Sequence, residues 1–419
     1  WGLSHPEAWE QTMSSSFFNQ AQGTMTSVFH NTAYRFRTAF YKMTGVNNRD
    51  AFLANLVISM PSAFFGHDKL KGNTTNAYDR NILVGPAKNV YSFWQGDKFE
   101  TLDAFKSFLG AQNMLATAVG VRADGPVVVN AEARDLRPRP GSPAIGNGVK
   151  VFAPWGLYAV TGEWNFRRYP AHPARLVGEN LFISSEHKKG GAEFNEFPRN
   201  DLVADGATTA DYEQGTLEDW VDGALKFDGN RVAVQEKLDR QYEVTDLDMR
   251  ENNFLIEGVF RIEGNAADAQ VAGKLSDAAG YALRVKGGKV GLVVRSGGMD
   301  AEVTGPALEA GRWYHVIGEA DRTAGVLRVY VDGKLAAEAP AALDAAASLA
   351  SDAEFTVGRG LVGAIDFLRV SRGSLADAKT TIGELYAWEF DGPHLRDFAG
   401  RAPARGGRRT IGALEPAGR

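Results

Sequence analysis

Short strand-like runs separated by turn-forming residues dominate this chain. Runs rich in Val, Ile, Phe and Tyr, such as Val326–Val331 and Leu292–Val294, alternate with Gly, Asn and Asp along its 419 residues. β-Branched and aromatic residues pack well on a pleated surface, whereas Gly, Asn and Asp favour the turns between strands. Long amphipathic helical patterns are scarce, and one short helix is expected over Thr101–Gly110 with Thr101 as its N-cap. The pattern predicts an all-β protein.

Asparagine recurs before strand-like runs at a nearly constant interval in the first part of the chain. Asn31, Asn55 and Asn81 are separated by 24 and 26 residues. A period of this size is typical of a solenoid in which each turn adds one strand to a parallel sheet. Stacked Asn side chains in such a solenoid can hydrogen-bond from one turn to the next. The alternative is a coincidence, because Asn is common before strands.

Two stretches far apart in the chain resemble the consecutive closing phrases of one fold. Residues 20–150, which end in "RDLRPRPGSPAIGNGV", resemble the last coils of right-handed parallel β-helix proteins of the pectate-lyase-like superfamily. The terminal phrase that follows in such proteins resembles "DFAGRAPARGGRRTIGALE" here, with Thr410 in place of the usual Asp. The resemblance implies that residues 389–419 return to the coils and that another domain is inserted before them.

The inserted segment resembles laminin-G-like, concanavalin A-like jelly rolls. The runs "GALKFDGNRVAVQ", "GRWYHV", "VLRVYVDGKL" and "GAIDFLRV" follow one another in the order of that family between residues 216 and 388. The resemblance implies an antiparallel sandwich of two sheets, with a tight turn at Asp332 and Gly333. The aromatic and branched residues expected to fill the space between the sheets are Trp313, Tyr314, Val316, Val329, Tyr330 and Val331.

The two resemblances divide the chain into four segments. The expected order is β-helix coils over residues 1–150, a connector with strands over 151–215, the jelly roll over 216–388 and a return segment over 389–419. The expected fold class is therefore all-β, with right-handed parallel β-helix coils and a laminin-G-like antiparallel β-sandwich. The first coil of a solenoid has unpaired backbone groups. We therefore expect residues 1–30 to contact another polypeptide, either an upstream part of the β-helix or a partner.

Few residues fit a catalytic pattern. A polysaccharide lyase of the β-helix type needs a basic residue that abstracts a proton, beside carboxylates or Ca²⁺ that neutralise the acid group of the substrate. His67 and Lys69 in "FFGHDKLKGN" are the best basic candidates, although a solvated turn explains this cluster equally simply. The chain has no cysteine and no HExxH or GxSxG motif, so nothing in these motifs points to thiol, zinc or serine catalysis.

Three aromatic residues are candidates for glycan binding, and two aspartates are candidates for calcium binding. Trp155, Tyr158 and Trp164 offer ring faces that suit pyranose C–H groups, with packing at a domain junction as the alternative. Laminin-G-like jelly rolls often hold one structural Ca²⁺, and the resemblance points to Asp228 in "FDG" and Asp366 in "AIDF". The alternative roles are a turn cap for Asp228 and an ion pair with a neighbouring Arg for Asp366.

Charge and hydropathy narrow the classes of partner. The net charge of −5 argues against a general nucleic-acid binder, which needs a basic face to displace counterions from phosphates. The sequence contains no uninterrupted apolar run of about eighteen residues, so it predicts no membrane span. We expect a secreted or cell-surface bacterial protein, which either binds a polysaccharide or surface glycan for adhesion or is a structural component of a surface assembly. The alternative is a polysaccharide lyase or glycoside hydrolase of β-helix type whose jelly roll is a carbohydrate-binding module.

Overall fold

The structure, a computed structural model, contains two β-rich parts. The described residues are 2–3, 16–20, 23–24, 26–36, 39–43, 47–48, 50–60, 62–67, 76–85, 87–93, 97–111, 119–152, 159–166, 176–180, 202–235, 247–264, 268–391, 409–414 and 416. Within these ranges, no helix combines the length and the apolar character that crossing a membrane requires.

The first part, which we call the parallel-sheet region, covers residues 2–149, and its last strand ends at Pro138. Its strands are β1 (Gly2–Leu3), β2 (Ser16–Gln20), β3 (Gly23–Thr24), β4 (Ser27–Phe29), β5 (Thr32–Tyr34), β6 (Ala39–Met43), β7 (Asn47–Asn48), β8 (Ala51–Leu53), β9 (Leu56–Ile58), β10 (Ala63–His67), β11 (Ala77–Asp79), β12 (Asn81–Val84), β13 (Asn89–Phe93), β14 (Lys98–Phe99), β15 (Gly120–Ala123), β16 (Val128–Asn130) and β17 (Asp135–Pro138). One helix, α1 (Leu102–Ala111), lies between β14 and β15.

Strands of the parallel-sheet region pair with the corresponding strand of the next repeat. One sheet has the order β1-β5-β9-β12-β15, a second runs β2-β6-β10-β13 with an antiparallel β14 at its end, and a third has the order β4-β8-β11. Thr32 pairs with Leu56, and Leu56 pairs with Ile82, both in parallel register. A fourth parallel sheet contains β3 and β7, so the described residues of this region form four parallel sheets, which is the pairing that the asparagine period predicts.

The three repeated asparagines form a hydrogen-bonded ladder. Asn31 Nδ2 donates to Asn55 Oδ1 at 3.1 Å, and Asn55 Nδ2 donates to Asn81 Oδ1 at 3.0 Å. Asn55 and Asn81 are fully buried, so an unsatisfied amide at either position would cost about 1–3 kcal/mol. The hydrogen bonds predicted from the spacing are confirmed.

A second ladder, which the sequence analysis missed, runs beside the first. Thr26 N donates to Asp50 Oδ1 at 2.9 Å, and Asp50 N donates to Asn76 Oδ1 at 3.0 Å. Burial raises the pKa of Asp50 to about 7. The three residues differ in type, so no single recurring residue in the sequence predicts this ladder.

Helix α1 confirms the helix expected after Thr101. Thr101 Oγ1 accepts a hydrogen bond from Ala104 N at 3.2 Å, which satisfies one of the N–H groups that the first turn leaves unpaired. Phe105 and Leu109, four residues apart on one face, are buried against the aromatic interior of the parallel-sheet region. The ring of Phe105 stacks on Tyr91 with 4.5 Å between the centroids.

The second part is an antiparallel sandwich. Its strands are β18 (Val160–Asn165), β19 (Leu176–Asn180), β20 (Leu202–Val203), β21 (Tyr212–Gln214), β22 (Asp222–Asp228), β23 (Ala233–Gln235), β24 (Phe254–Ile262), β25 (Asp268–Leu275), β26 (Gly280–Lys286), β27 (Lys289–Ser296), β28 (Met299–Ala307), β29 (Trp313–Asp321), β30 (Val326–Val331), β31 (Lys334–Pro340), β32 (Thr356–Arg359) and β33 (Val362–Arg372). A 3₁₀ turn (Thr209–Asp211) precedes β21, and helix α2 (Ile382–Asp391) follows β33.

The sandwich consists of two sheets that face each other. Sheet I contains β18, β33, β24, β29, β30 and β31, with β22 paired to β33, and sheet II contains β28, β27, β26, β25, β32, β23 and β20. Strand β19 pairs with both β18 and β20 and so joins the two sheets. Buried residues such as Ile256 and Val316 of sheet I meet Leu283 and Leu292 of sheet II in one core. The "FDG" strand pairs with the "AIDF" strand, with Leu225 opposite Ile365.

The predicted filling of the sandwich is correct in part. The residues that pack into or against the core are Tyr314, Val316, Val329 and Val331. Trp313 and Tyr330 instead pack in clusters on the opposite, outer face of sheet I. Successive side chains of a strand point to opposite faces, so consecutive residues cannot all fill one core. The turn at Asp332 and Gly333 is confirmed by their φ angles of 49° and 76°.

The last described residues lie on the parallel-sheet region. Ile411 N donates to Ala144 O at 2.8 Å, and Gly412 N donates to Ala54 O at 3.0 Å. The half-buried ring of His30 contacts the carbonyl oxygens of Thr410 and Val149, both at 2.8 Å. The chain thus leaves the parallel-sheet region after Val149, forms the sandwich and contacts the parallel-sheet region again at its end.

Candidate functional site

The outer face of sheet I carries a compact group of charged side chains. Arg369 of β33 forms ion pairs with Glu257 of β24 and, at 3.6 Å, with Glu163 of β18. His315 Nε2 lies 2.5 Å from Glu257 Oε1. Arg369 and Glu257 are each only 1% exposed, and burial raises the pKa of Glu163. These charges therefore satisfy one another inside the molecule.

Other parts of the chain cover this face of sheet I. Leu385 of α2 packs with Leu255 and Ile317 at one side of the charged group. At the other side, the ring of Phe152 contacts that of Phe367 with 5.0 Å between the centroids. The outer face of sheet I is therefore an internal junction, which a ligand cannot reach without separating packed elements.

The outer face of sheet II carries a row of polar side chains that crosses five neighbouring strands. Gln270 of β25 pairs with Arg359 of β32 on one side and with Arg284 of β26 on the other. Arg284 pairs with Gly291 of β27, and Gly291 pairs with Thr304 of β28. Residues paired directly across strands lie on the same face, so these side chains form one continuous row. Arg359 and Thr304 at its ends are exposed.

A second row of mostly small residues lies beside the polar row. Thr356, Gly273, Ala282, Val293 and Glu302 follow one another across the same five strands. The first four are buried, whereas Glu302 at the edge is exposed. The small side chains of this row extend little from the sheet, and longer polar side chains flank them.

Hydrogen bonds and ion pairs order the polar groups of this face. Gln270 Nε2 donates to Thr356 Oγ1 at 2.7 Å, which fixes the amide over the strand pair. Arg284 forms an ion pair with Glu302, diagonally across β27. Arg295 Nε donates to Asp300 Oδ1 at 2.5 Å, and this hydrogen bond lowers the pKa of Asp300. The face is thus a preorganised hydrogen-bonding surface.

Sequence reasoning missed this face, although a signal for it exists. In β26 the apolar residues Tyr281, Leu283 and Val285 alternate with Ala282 and Arg284. Strict alternation of this kind predicts a strand with one buried face and one face available to solvent. The sequence does not show which alternating strands become neighbours, and that pairing is what forms the row.

The two calcium candidates lie apart. Asp228 is paired with Val362, four residues before Asp366 on the same strand, which places the two aspartates about 13 Å apart at the usual rise of a strand. They therefore cannot share one ion. Among the described residues, no group of three or more His, Cys, Asp or Glu side chains could hold a metal. A structural calcium ion with Asp228 or Asp366 among its ligands stays a prediction.

Each of these aspartates has backbone partners of its own. Asp228 Oδ1 accepts hydrogen bonds from Arg231 N at 2.8 Å and from Asn230 N at 2.9 Å, so it caps a turn. These N–H groups lower the pKa of Asp228. Asp366 Oδ2 accepts two backbone N–H groups from residues 216 and 217, at 2.7 and 3.0 Å, and burial raises its pKa to about 7.

The structure corrects one of the glycan-binding candidates. Trp164 is fully buried in the sandwich core, where its ring stacks on Phe355 with 5.2 Å between the centroids. A buried ring cannot present a face to a sugar, so Trp164 is a packing residue. Trp155 and Tyr158 lie outside the described residues.

The weak catalytic candidates lie at or beyond the edge of the described residues. His67 is the last residue of β10, and Lys69 lies outside the described residues. Their proposed role stays a prediction.

Comparison with known families identifies the sandwich. Residues 238–379 match the Laminin_G_3 family, which is described as the Concanavalin A-like lectin/glucanases superfamily. The jelly roll expected from the sequence is therefore confirmed for this range. No curated protein matches the chain.

Several solved structures resemble parts of the chain. The binding domain of Paraclostridial Mosquitocidal Protein 1 has a TM-score of 0.38 and 10% identity, over 58% of this chain and 55% of that chain. The binding domain of botulinum neurotoxin serotype G has a TM-score of 0.35 and 14% identity, over 58% and 54%. The Ruminococcus gnavus IT-sialidase CBM40 bound to α2,3-sialyllactose has a TM-score of 0.27 and 17% identity, over 33% and 83%. This chain thus spans little more than half the length of the first two.

Proposed function

We propose that the jelly roll binds glycans and that the outer face of sheet II is its binding surface. The observation that carries this proposal is the difference between the two outer faces: the charges of the Arg369 group on sheet I are buried, whereas the polar row of sheet II ends in the exposed residues Arg359 and Thr304. The match of residues 238–379 to a lectin and glucanase superfamily supports a carbohydrate ligand.

The chemistry of the sheet II face suits sugar hydroxyls. Each hydroxyl both donates and accepts, and the face offers a hydroxyl at Thr304, an amide at Gln270 and a guanidinium at Arg284. Ala282 and Gly291 are buried between these groups, so the polar side chains themselves form the layer that a sugar would contact. A row that crosses five strands extends about 20 Å at the usual strand spacing, which suits several successive sugar units.

We further propose that the parallel-sheet region consists of coils of a right-handed parallel β-helix, bounded as the sequence predicts at residue 150. The parallel pairing and the asparagine ladder support this proposal, and the contacts of residues 409–414 support a return segment within 389–419. Such a protein would act at a cell surface or in a secreted assembly, where coils provide reach and the jelly roll provides adhesion. Residues 1–30 remain predicted to contact another polypeptide.

A bulky substitution on each sheet tests the binding surface. Thr304→Trp places an indole on the exposed end of the polar row, whereas Ala336→Trp places one on exposed β31 of sheet I. We expect wild type and Ala336→Trp to bind the same polysaccharides in affinity gel electrophoresis, and Thr304→Trp to lose that retardation. Equal retardation of both variants would exclude sheet II as the binding surface. A wild-type protein that binds no polysaccharide in a broad panel would refute glycan binding itself.

A further inference from the structure

The outer face of sheet II is basic, although the chain as a whole is acidic. Its basic side chains are Arg359, Arg284, Lys286, Lys289 and Arg295. Its acidic side chains are Asp268, Asp300 and Glu302. Five cations against three anions give this face a positive charge within a chain of net charge −5. A local excess of this sign attracts anionic ligands.

Several of these cations have no anionic partner. Arg359, Lys286 and Lys289 are exposed, and none of them forms an ion pair with another described residue. By contrast, Arg295 is held by Asp300. Lys286 and Lys289 pair with each other across β26 and β27, in the row next to the polar row that Arg359 begins.

Two arginines flank an amide in the middle of this face. Arg359 and Arg284 lie on either side of Gln270, about 10 Å apart at the usual strand spacing. Glu302 pairs with one end of the Arg284 guanidinium, but Arg284 Nε is buried and has no hydrogen-bond partner among the described residues. A guanidinium presents its N–H groups as a planar fork that matches a carboxylate.

We propose that the glycan bound by sheet II is acidic, with carboxylate groups on its sugar units. This inference rests on the proposed function. Arg359 pairs with a carboxylate of the ligand, and Gln270 binds a hydroxyl of the same or the adjoining sugar. Thr304, at the other end of the row, binds a hydroxyl of a sugar unit further along the glycan. Lys286 and Lys289 attract the negatively charged polysaccharide at longer range.

Matched pairs of polysaccharides test this proposal. The probes are polygalacturonate, alginate and hyaluronate, each compared with its methyl-esterified form, which has the same backbone without the charge. We expect wild type to bind at least one acidic form about tenfold or more tightly than its ester, since a charged hydrogen bond contributes about 1.5–3 kcal/mol. The preference should shrink as salt is raised, because salt screens exposed charges.

Arg359→Gln and Arg139→Gln provide the matched variants. Both arginines are exposed, but Arg139 lies in the loop after β17, away from sheet II. We expect Arg359→Gln to lose about tenfold in affinity for the acidic form and to keep its affinity for the ester, whereas Arg139→Gln binds as wild type does. Because neither side chain is part of a core, circular dichroism should show both variants folded.

The outcomes separate the inference from the function on which it rests. Equal affinity for acid and ester would overturn the acidic class and leave glycan binding intact. Equally tight binding of dextran sulfate would show attraction to any polyanion and would also overturn the carboxylate assignment. Failure to bind any acidic or neutral polysaccharide would refute the proposed function.

Discussion

The two outer faces of the sandwich carry similar residues and have different roles. Sheet I presents Arg369 with Glu257, and sheet II presents Arg284 with Glu302. The first pair is 1% exposed on both sides, whereas the side chains of the second pair are 17% and 35% exposed. Helix α2 and the segment around Phe152 pack on sheet I and so bury its charged group. Whether the outer face of a sheet is buried or exposed to solvent therefore depends more on the elements that pack over it than on its residue types.

Coverage also changes the energetics of equivalent ion pairs. A charge that loses its partner in the interior stays uncompensated, at a cost of about 3–5 kcal/mol, because water cannot solvate it. An exposed pair is worth about 0–1 kcal/mol, because water and salt replace the lost partner. The same substitution should therefore have unequal effects on the two sheets.

Replacing the central arginine of sheet I should have the largest effect. Arg369→Met leaves Glu257 and Glu163 without their cation, so we expect the free energy of unfolding to fall by about 3–5 kcal/mol. Arg284→Met on sheet II is the matched control and should cost about 1 kcal/mol or less, since its partner Glu302 is exposed. Urea unfolding measures both, and similar losses in the two variants would contradict the contrast between the faces.

The pH dependence of stability should have opposite signs at two aspartates. Burial raises the pKa of Asp366, which belongs to sheet I, from its ordinary value of 3.8 to about 7. The unfolded state therefore loses this proton more readily, and the contribution of Asp366 to stability is present below pH 4 and is lost as the pH rises towards 7. On sheet II the hydrogen bond from Arg295 lowers the pKa of Asp300, so its contribution is lost as the pH falls.

Asparagine variants separate these two contributions. Asp366→Asn keeps an oxygen that accepts the two backbone N–H groups, and it should flatten the loss of stability between pH 4 and 7, by up to about 4 kcal/mol at pH 7. Asp300→Asn should flatten only the loss at acidic pH. Thermal unfolding followed across pH 3–8 tests both expectations. A wild-type slope that persists in Asp366→Asn would assign it to other groups, of which Asp50 is the first candidate.

Neutralising the acid of sheet II should have the smallest effect on stability and a distinct effect on binding. Glu302→Gln removes the exposed partner of Arg284, so we expect the free energy of unfolding to change by about 0.5 kcal/mol or less. The released guanidinium is then available to a ligand carboxylate, so affinity for the acidic polysaccharide should rise severalfold. Calorimetric titration measures this change, and weaker binding would show that Glu302 itself contacts the glycan.

Local sequence signals predicted individual features well. The Thr101 cap, the turn at Asp332 and Gly333 and the asparagine ladder each depend on residues whose preferences act over a few neighbours or one repeat. The positions of Trp313, Tyr330 and Trp164 were harder to predict, because an aromatic residue packs equally well on either side of a sheet. The second ladder could not be predicted from one recurring residue type. Thr26, Asp50 and Asn76 occupy equivalent positions in the hydrogen-bonded ladder but are three different residue types.

The sequence by itself determined the all-β class, the repeat that yields parallel sheets and the jelly roll. It also indicated that the segments before and after the jelly roll lie on the parallel-sheet region. These properties follow from periodicity and turn chemistry, which act along the chain. Only the tertiary structure determined that the side chains of Glu257, His315 and Arg369 are buried. It also determined that Arg284 and Gln270 lie in one row on the outer face of sheet II. Both outcomes depend on which strands become neighbours and on what packs over them, and residues that are distant in the chain settle those contacts.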